Sequence, residues 1–134
     1  MGTESRRKFI AAAPAVLSAV AGRAQSPNNK VVLSLIGAGG RGSALGANFA
    51  VVENVEFKSV CEVNAQRGAQ IIDKMASIRG KRPERLTDMR RVFDDKDVDG
   101  VVVATPEHWH ALATVWACQA GKDVYVEKSP SLFI

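Results

Sequence analysis

The sequence predicts an α/β fold built on a doubly wound parallel sheet, and two observations carry that prediction. Apolar runs typical of strands buried on both faces alternate with segments of helical periodicity. The first of these runs leads straight into a glycine-rich turn. Strict alternation of strands and helices favours a parallel sheet with helices on both faces, joined by right-handed crossovers.

Each predicted element has its own signal in the sequence. Apolar and β-branched residues cluster in four predicted strands, at residues 31–36, 55–63, 101–104 and 124–126. Apolar residues at helical spacing predict four helices, at residues 43–50, 65–78, 89–93 and 110–120. Gly121 is placed to cap the last helix. The polar segment 80–85, which contains a proline, is predicted to be a loop.

The positive charge of the chain is concentrated at its start. The net charge is +4, and residues 1–24 hold four basic residues against Glu4 alone. The rest of the chain carries 14 basic and 13 acidic residues. The overall basic balance is therefore no argument for a nucleic-acid partner. The basic residues between positions 79 and 91 have no aromatic residues among them, and we expect a solvated surface there.

Residues 1–24 are predicted to be a twin-arginine signal peptide. Residues 5–10 read Ser-Arg-Arg-Lys-Phe-Ile, and the alanine-rich stretch behind them is shorter than the roughly 20 residues that span a bilayer. The signal implies the twin-arginine translocase as a partner and a periplasmic or secreted location. The alternative is a disordered basic tail. Residues 25–29 then form a linker, and residues 30–134 form the folded domain.

Residues 37–42, Gly-Ala-Gly-Gly-Arg-Gly, form the G-x-G-x-x-G pattern of dinucleotide-binding loops. In that pattern the first glycine permits a tight turn, the second lets the backbone approach a pyrophosphate, and the third lets the helix pack closely. The helix that follows offers free N–H groups to phosphates. We therefore predict a cofactor-binding loop formed by Gly37, Ala38, Gly39, Gly40, Arg41 and Gly42.

Glu62 lies 20 residues beyond Gly42, at the end of the second predicted strand. A carboxylate there accepts hydrogen bonds from the adenosine ribose and repels a 2′-phosphate, which favours NAD over NADP. Arg41 and Arg67 can serve such a phosphate instead, so NADP stays possible as the cofactor. The structural alternative for Glu62 is a solvated acid at a strand end.

Two further segments end predicted strands at the edge where doubly wound sheets bind ligands. Residues 105–110, Thr-Pro-Glu-His-Trp-His, contain both histidines of the chain. A metal site is disfavoured, because two histidines and one glutamate supply no familiar zinc spacing. The alternative is that one histidine caps or packs against the next helix. Glu127 and Lys128 end the last strand, where a lysine either acts as an acid or base or is only solvated.

Taken together, these motifs resemble the Gfo/Idh/MocA oxidoreductases, and more narrowly their twin-arginine-exported members. The residues that carry the resemblance are the glycine loop and residues 61–64, 105–111 and 126–128. It implies a Rossmann domain that binds NAD(P) and a sugar, polyol or related substrate. It also implies that Lys128 is catalytic, near the reacting carbon, and that His110 lies by the cofactor. The implied cofactor contacts further include Asn64, Arg67, Thr105, Pro106, His108, Glu127 and Lys128.

The sequence departs from the family pattern in two ways. Ser129 separates Lys128 from Pro130, so the restriction that a proline imposes on its predecessor falls on Ser129. The family's second α/β domain is missing from the sequence. We therefore expect a Rossmann domain incomplete at its C-terminus, with little turnover and no oligomer without the second domain. Two alternatives stay open: a non-catalytic dinucleotide-binding fragment, and the cofactor half of an NAD-dependent glycosidase.

Overall fold

A computed structural model describes residues 29–130 of the chain. Within these residues there are five strands, β1 Val31–Ile36, β2 Val55–Cys61, β3 Glu84–Leu86, β4 Gly100–Val103 and β5 Asp123–Val126. The helices are α1 Gly40–Ala50, α2 Ala65–Arg79, α3 Arg90–Asp94 and α4 His110–Gln119, and a 3₁₀ turn at Glu107–Trp109 precedes α4. None of the helices in this part of the chain has the length and apolar character needed to cross a membrane. The predicted signal at residues 1–24 lies outside the described residues.

The five strands form one parallel sheet in the order β3-β2-β1-β4-β5. From β1 the chain adds strands outward on one side of the sheet and then returns to add β4 and β5 on the other side. The predicted doubly wound architecture is confirmed. The reversal between β1 and β4 leaves a crevice beyond their carboxyl ends, where ligands bind in sheets of this kind.

The sheet separates two apolar cores. Leu35 lies in the core beneath α1 and α2, whereas its neighbour Ile36 lies in the core beneath α3 and α4. Successive residues of a strand point to opposite faces, so a strand covered on both faces needs apolar residues throughout. The apolar character of β1 and β4 therefore follows from their central position. The one polar residue of β1, Ser34, is buried with its hydroxyl group hydrogen-bonded to that of Ser59 in β2. Both β1 and β4 also end at the crevice, which gives the candidate site a rigid base.

The predicted loop at residues 80–85 is wrong at its end, because β3 begins at Glu84 and pairs with β2. Only Leu86 of its three residues is buried. As the outermost strand, β3 exposes Glu84 and Arg85, so it shows none of the apolar pattern by which a strand is recognised. Gly121 has a φ of +72° after α4, as its predicted capping position requires.

Lys122 is a buried cation that holds the loop before β4. It is 8% exposed, and its ammonium group donates to the carbonyl oxygens of Asp95 and of Val98, the latter at 2.9 Å. We expect Lys122→Met to lower the free energy of unfolding by about 2 kcal/mol, because two carbonyl groups lose their donor. Urea unfolding measures the change. Lys96→Met, at an exposed position of the same loop, is the matched control, and equal stabilities of the two variants would contradict the prediction.

Candidate functional site

Two glycines of the 37–42 loop bring β1, α1 and β4 into direct backbone contact. Gly37 has a φ of +91°, and a Cβ on it would lie 2.7 Å from the backbone of Ala104 and Thr105. A Cβ on Gly42 would lie only 2.0 Å from the carbonyl oxygen of Gly37. Neither position has room for a side chain, and Gly37 also needs a conformation that other residues rarely adopt.

The same loop leaves open space at its outer side. A Cβ on Gly39 or Gly40 would meet no atom within 4 Å. Gly39 is the N-cap of α1, and neither a capping side chain nor an acidic residue occupies the first turn. The backbone N–H groups at the start of α1 and the positive end of its dipole are therefore available to an anion. The loop has the shape of a phosphate cradle.

Glu62 lies directly beneath this loop and is 9% exposed. Its Oε2 accepts a hydrogen bond from the Ala38 N–H at 2.7 Å, and its Oε1 accepts one from the Asn64 N–H at 2.8 Å. Asn64 caps α2, because its Oδ1 accepts from the Arg67 N–H at 3.0 Å. Arg67 is exposed. The solvated acid considered as an alternative for Glu62 is therefore not found.

A cavity of about 520 Å³, here called the β2-side cavity, lies beyond the carboxyl ends of β1 to β4. Gly37, Glu62, Thr105 and Pro106 are the predicted site residues that line it. Sequence analysis missed the rest of its wall, chiefly Thr87, Asp88, Met89, Arg90, Trp109 and Trp116. Residues 87–90 directly follow β3, so recognising that strand would have placed them at the ligand-binding edge of the sheet.

Asp88 and Arg90 form an ion pair in the wall of the β2-side cavity. The Arg90 Nη2 lies 2.6 Å from Asp88 Oδ2, and the Arg90 Nε donates to the same carboxylate at 3.0 Å. The hydrogen bonds from Arg90 lower the pKa of the Asp88 carboxyl to about 2. Asp88 is therefore charged at neutral pH, and its charge is matched by the guanidinium.

A second cavity of about 410 Å³, here called the β5-side cavity, lies on the other side of Thr105 and Pro106. Arg41, His110, Glu127 and Lys128 also line it, together with Ala104 and Glu107. The Arg41 Nε lies 2.9 Å from Glu127 Oε1, so an ion pair links the glycine loop to the end of β5. Lys128 is exposed. The structure thus brings together residues that the sequence keeps more than 80 positions apart.

His110 is almost completely buried and bridges two loops. It is 1% exposed, with Nδ1 at 2.8 Å from the Ser129 carbonyl oxygen and Nε2 at 2.8 Å from the Thr105 carbonyl oxygen. Its ring therefore connects the loop after β4 to the segment after Lys128. His108 is exposed and lines neither cavity. No group of three metal-ligating side chains lies within residues 29–130.

The wall between the two cavities contains an unsatisfied hydroxyl group. Thr105 lines both cavities, and its buried Oγ1 has no hydrogen-bond partner among the described residues. A buried hydroxyl without a partner is costly, so a ligand atom at this point would be stabilising. The two cavities, the phosphate cradle and this hydroxyl fit a dinucleotide.

Four of the basic side chains between residues 79 and 91 pair with acidic groups on the surface. Arg90 and Arg91 pair with Asp88 and Glu84, and the Arg91 pair is 3.4 Å long. Lys81 pairs with Glu56 and Arg82 with Asp73. Such exposed pairs contribute little to stability. A solvated surface without nucleic acid stays a prediction for this region.

The two cysteines differ in exposure, and we expect them to differ in reactivity. Burial raises the pKa of the Cys61 thiol to about 11, whereas Cys118 is exposed. Because only the thiolate reacts, iodoacetamide at about pH 8 should label Cys61 about a hundredfold more slowly than an unperturbed thiol. Peptide mass spectrometry after timed alkylation measures both rates. Labelling of Cys61 as fast as Cys118 would contradict the burial argument.

Comparison with known proteins agrees with this geometry. The sequence model described as "Oxidoreductase family, NAD-binding Rossmann fold" (GFO_IDH_MocA) matches residues 31–131. A glycosyl hydrolase family 109 protein of Stenotrophomonas maltophilia is 33% identical over 132 residues, covering 91% of this chain and 29% of that protein. An alpha-N-acetylgalactosaminidase of Shewanella oneidensis is 27% identical over 107 residues, covering 76% of this chain and 23% of that protein.

Comparison with solved structures also finds similarity to nicotinamide-dependent dehydrogenases. Levoglucosan dehydrogenase in complex with NADH superimposes with a TM-score of 0.67 and 26% identity, covering 76% of this chain and 28% of that one. A second structure of that enzyme holds both NADH and levoglucosan. The chain thus spans less than a third of the length of these relatives.

Proposed function

This chain belongs to the Gfo/Idh/MocA oxidoreductase family, and we propose that it serves an enzyme that acts on a sugar, a polyol or a related compound. The chain is the NAD-binding Rossmann domain of that family. The observation that carries the proposal is the pair of cavities on either side of Thr105 and Pro106, with the phosphate cradle at residues 37–42 beside them. The rest of the enzyme supplies the wall that recognises the substrate.

We assign the two cavities to the two halves of the cofactor. The β2-side cavity, with Glu62 in its wall, takes the adenosine half. The cradle takes the pyrophosphate, with Arg41 close by. The β5-side cavity, lined by Glu127 and Lys128, takes the nicotinamide half. In this arrangement Glu62 disfavours the extra phosphate of NADP, so the domain prefers NAD.

Bound NAD supplies an acceptor for hydride at this site. Lys128 lies exposed at the end of β5, where it is placed to exchange a proton with a substrate hydroxyl as the general acid or base. Glu127, 14% exposed, holds the Arg41 guanidinium at the mouth of the β5-side cavity. His110 ties the residue that follows Lys128 to the loop after β4, because its ring contacts the carbonyl oxygens of Ser129 and Thr105. Lys128 is the proposed catalytic group, and the other residues orient it or bind the cofactor.

A second candidate function is redox-neutral cleavage of a glycoside. It is favoured by the curated relatives, since those described above are named as glycosyl hydrolases or as an N-acetylgalactosaminidase. In this case the sugar would be oxidised and then reduced again in one catalytic cycle. The same lysine and the same cofactor site would serve both reactions.

The two functions are separated by following nicotinamide absorbance and glycoside cleavage together, in the longest native polypeptide that contains this chain. A dehydrogenase reduces added NAD in proportion to the sugar consumed. A redox-neutral glycosidase releases p-nitrophenol from a p-nitrophenyl N-acetylgalactosaminide without net NADH. If wild-type protein with saturating NAD gives neither signal on sugars, inositols or glycosides, the proposed substrate class is wrong.

We also propose that the protein leaves the cytoplasm by the twin-arginine route. The support is the sequence of residues 5–10 and the alanine-rich stretch behind it. A reporter fused after residue 30 should appear in the periplasm of a bacterial host. Lys substitutions at both Arg6 and Arg7 should retain the reporter in the cytoplasm. Export that survives these substitutions would reject this route.

A further inference from the structure

Glu62 contacts two loops at once. Its two carboxylate oxygens accept hydrogen bonds from the backbone N–H groups of Ala38, at 2.7 Å, and of Asn64, at 2.8 Å. Ala38 belongs to the glycine loop after β1, whereas Asn64 caps α2 after β2. One buried carboxylate therefore ties the phosphate cradle to the start of the neighbouring helix.

Ala38 is held through both of its backbone polar groups. Its N–H donates to Glu62, and its carbonyl oxygen accepts from Ser43 Oγ at 2.9 Å. The residue itself is 2% exposed. The peptide groups on both sides of Ala38 thus have fixed orientations. The next residue, Gly39, is the N-cap of α1, so these bonds set the direction of the N–H groups in the cradle.

We infer that Glu62 is a positioning residue for the pyrophosphate-binding loop, in addition to any contact that it makes with the ribose. A carboxylate oxygen has two lone pairs, so an oxygen that accepts one N–H can also accept a hydroxyl. The loop and the ribose then share one carboxylate. The inference rests on the proposed placement of the adenosine half in the β2-side cavity. It means that binding of the pyrophosphate depends on Glu62, the same residue that binds the ribose hydroxyls.

Glu62→Gln tests this inference with little change in side-chain size. Glutamine keeps one acceptor oxygen, but its amide group would face the second backbone N–H, donor against donor. The bond to Ala38 or the bond to Asn64 is therefore lost. Glu53→Gln, at an exposed position in the turn before β2, is the matched control.

The affinities of two ligands distinguish positioning from ribose binding. ADP carries the pyrophosphate and the ribose hydroxyls, whereas 2′,3′-dideoxy-ADP keeps the pyrophosphate and the adenine but lacks both hydroxyls. We expect Glu62→Gln to weaken both ligands by about tenfold or more, measured by titration calorimetry. If the variant weakens ADP and leaves the affinity for dideoxy-ADP unchanged, Glu62 acts only on the ribose and the inference fails.

A second measurement needs no ligand and separates this inference from the proposed cofactor placement. Hydrogen exchange of the Ala38 amide, followed by NMR, should be about tenfold faster in Glu62→Ala, which removes both acceptor oxygens, while the Val102 amide in β4 is unchanged. If this variant does not fold, Glu62→Asp, whose shorter side chain does not reach both N–H groups, replaces it. Equal exchange of Ala38 in wild type and variant overturns the inference. A wild type that binds neither NAD nor ADP rejects the cofactor placement, and the Ala38 exchange still decides the role of Glu62.

Discussion

Gly42→Ala is expected to lower the free energy of unfolding by about 3 kcal/mol, because the new methyl group has no space. A Cβ at this position lies 2.0 Å from the carbonyl oxygen of Gly37 and 2.9 Å from its carbonyl carbon. Both atoms are backbone, so no side-chain rotation relieves the contact. Helix α1 must move away from β1, and the cradle moves with it. Thermal or urea unfolding measures the loss of stability.

Gly39→Ala is the matched control for this prediction, since a Cβ there meets nothing within 4 Å. Its φ of −63° suits alanine, so the stability of the fold should stay within about 0.5 kcal/mol of wild type. The methyl group does occupy the space of the cradle, and NAD binding should weaken. Equal stabilities of Gly42→Ala and Gly39→Ala would mean that α1 does not pack against β1 as described.

Under the proposed function, Lys128→Met in the longest native polypeptide that contains this chain is expected to lower turnover by about 10²–10⁴-fold, the range typical of a lost general acid or base. Lys128 lines the β5-side cavity and is exposed, so its loss should leave the fold intact. The dissociation constant of NAD should change little, since the cradle and Glu62 are untouched. Steady-state kinetics and calorimetry on the same preparation measure the two quantities.

Lys96→Met serves as the control here as well, because it removes an exposed lysine from the other end of the sheet. A parallel loss of turnover and NAD affinity in Lys128→Met would assign the lysine to cofactor binding instead. Turnover within twofold of wild type would remove Lys128 from the reaction altogether. Rescue by Lys128→Arg is not expected, because a guanidinium does not release its proton at neutral pH.

The sequence predicts most of the fold because the central strands carry the strongest signals. Val101, Val102 and Val103 are buried on both faces of the sheet, and such strands need uninterrupted apolar residues. β3 lies at the edge and buries only Leu86, so local composition does not distinguish it from a loop. The omission of β3 led directly to the omission of Asp88 and Arg90 from the predicted site.

In the candidate site, likewise, some features are predicted by a sequence motif and others depend on how distant segments meet in the fold. The glycine spacing predicts the cradle, because the positions that must lack a side chain are glycines, and the sequence shows these directly. The position of Glu62 follows from the same motif, but its bonds to two backbone N–H groups depend on how the loops after β1 and β2 meet. The burial of His110 between Thr105 and Ser129 likewise follows from the approach of β4 and β5. Contacts of this kind between distant segments leave no periodic trace in a sequence.

The shortness of β3 bears on how the protein behaves at high concentration. An outer strand exposes unpaired N–H and C=O groups, and another molecule can extend the sheet by pairing with them. β3 offers only three residues for such pairing, and two of them, Glu84 and Arg85, are exposed and charged. An incoming strand would find few backbone partners and would have to dehydrate both charges. Aggregation by strand addition is therefore disfavoured at this edge of the sheet.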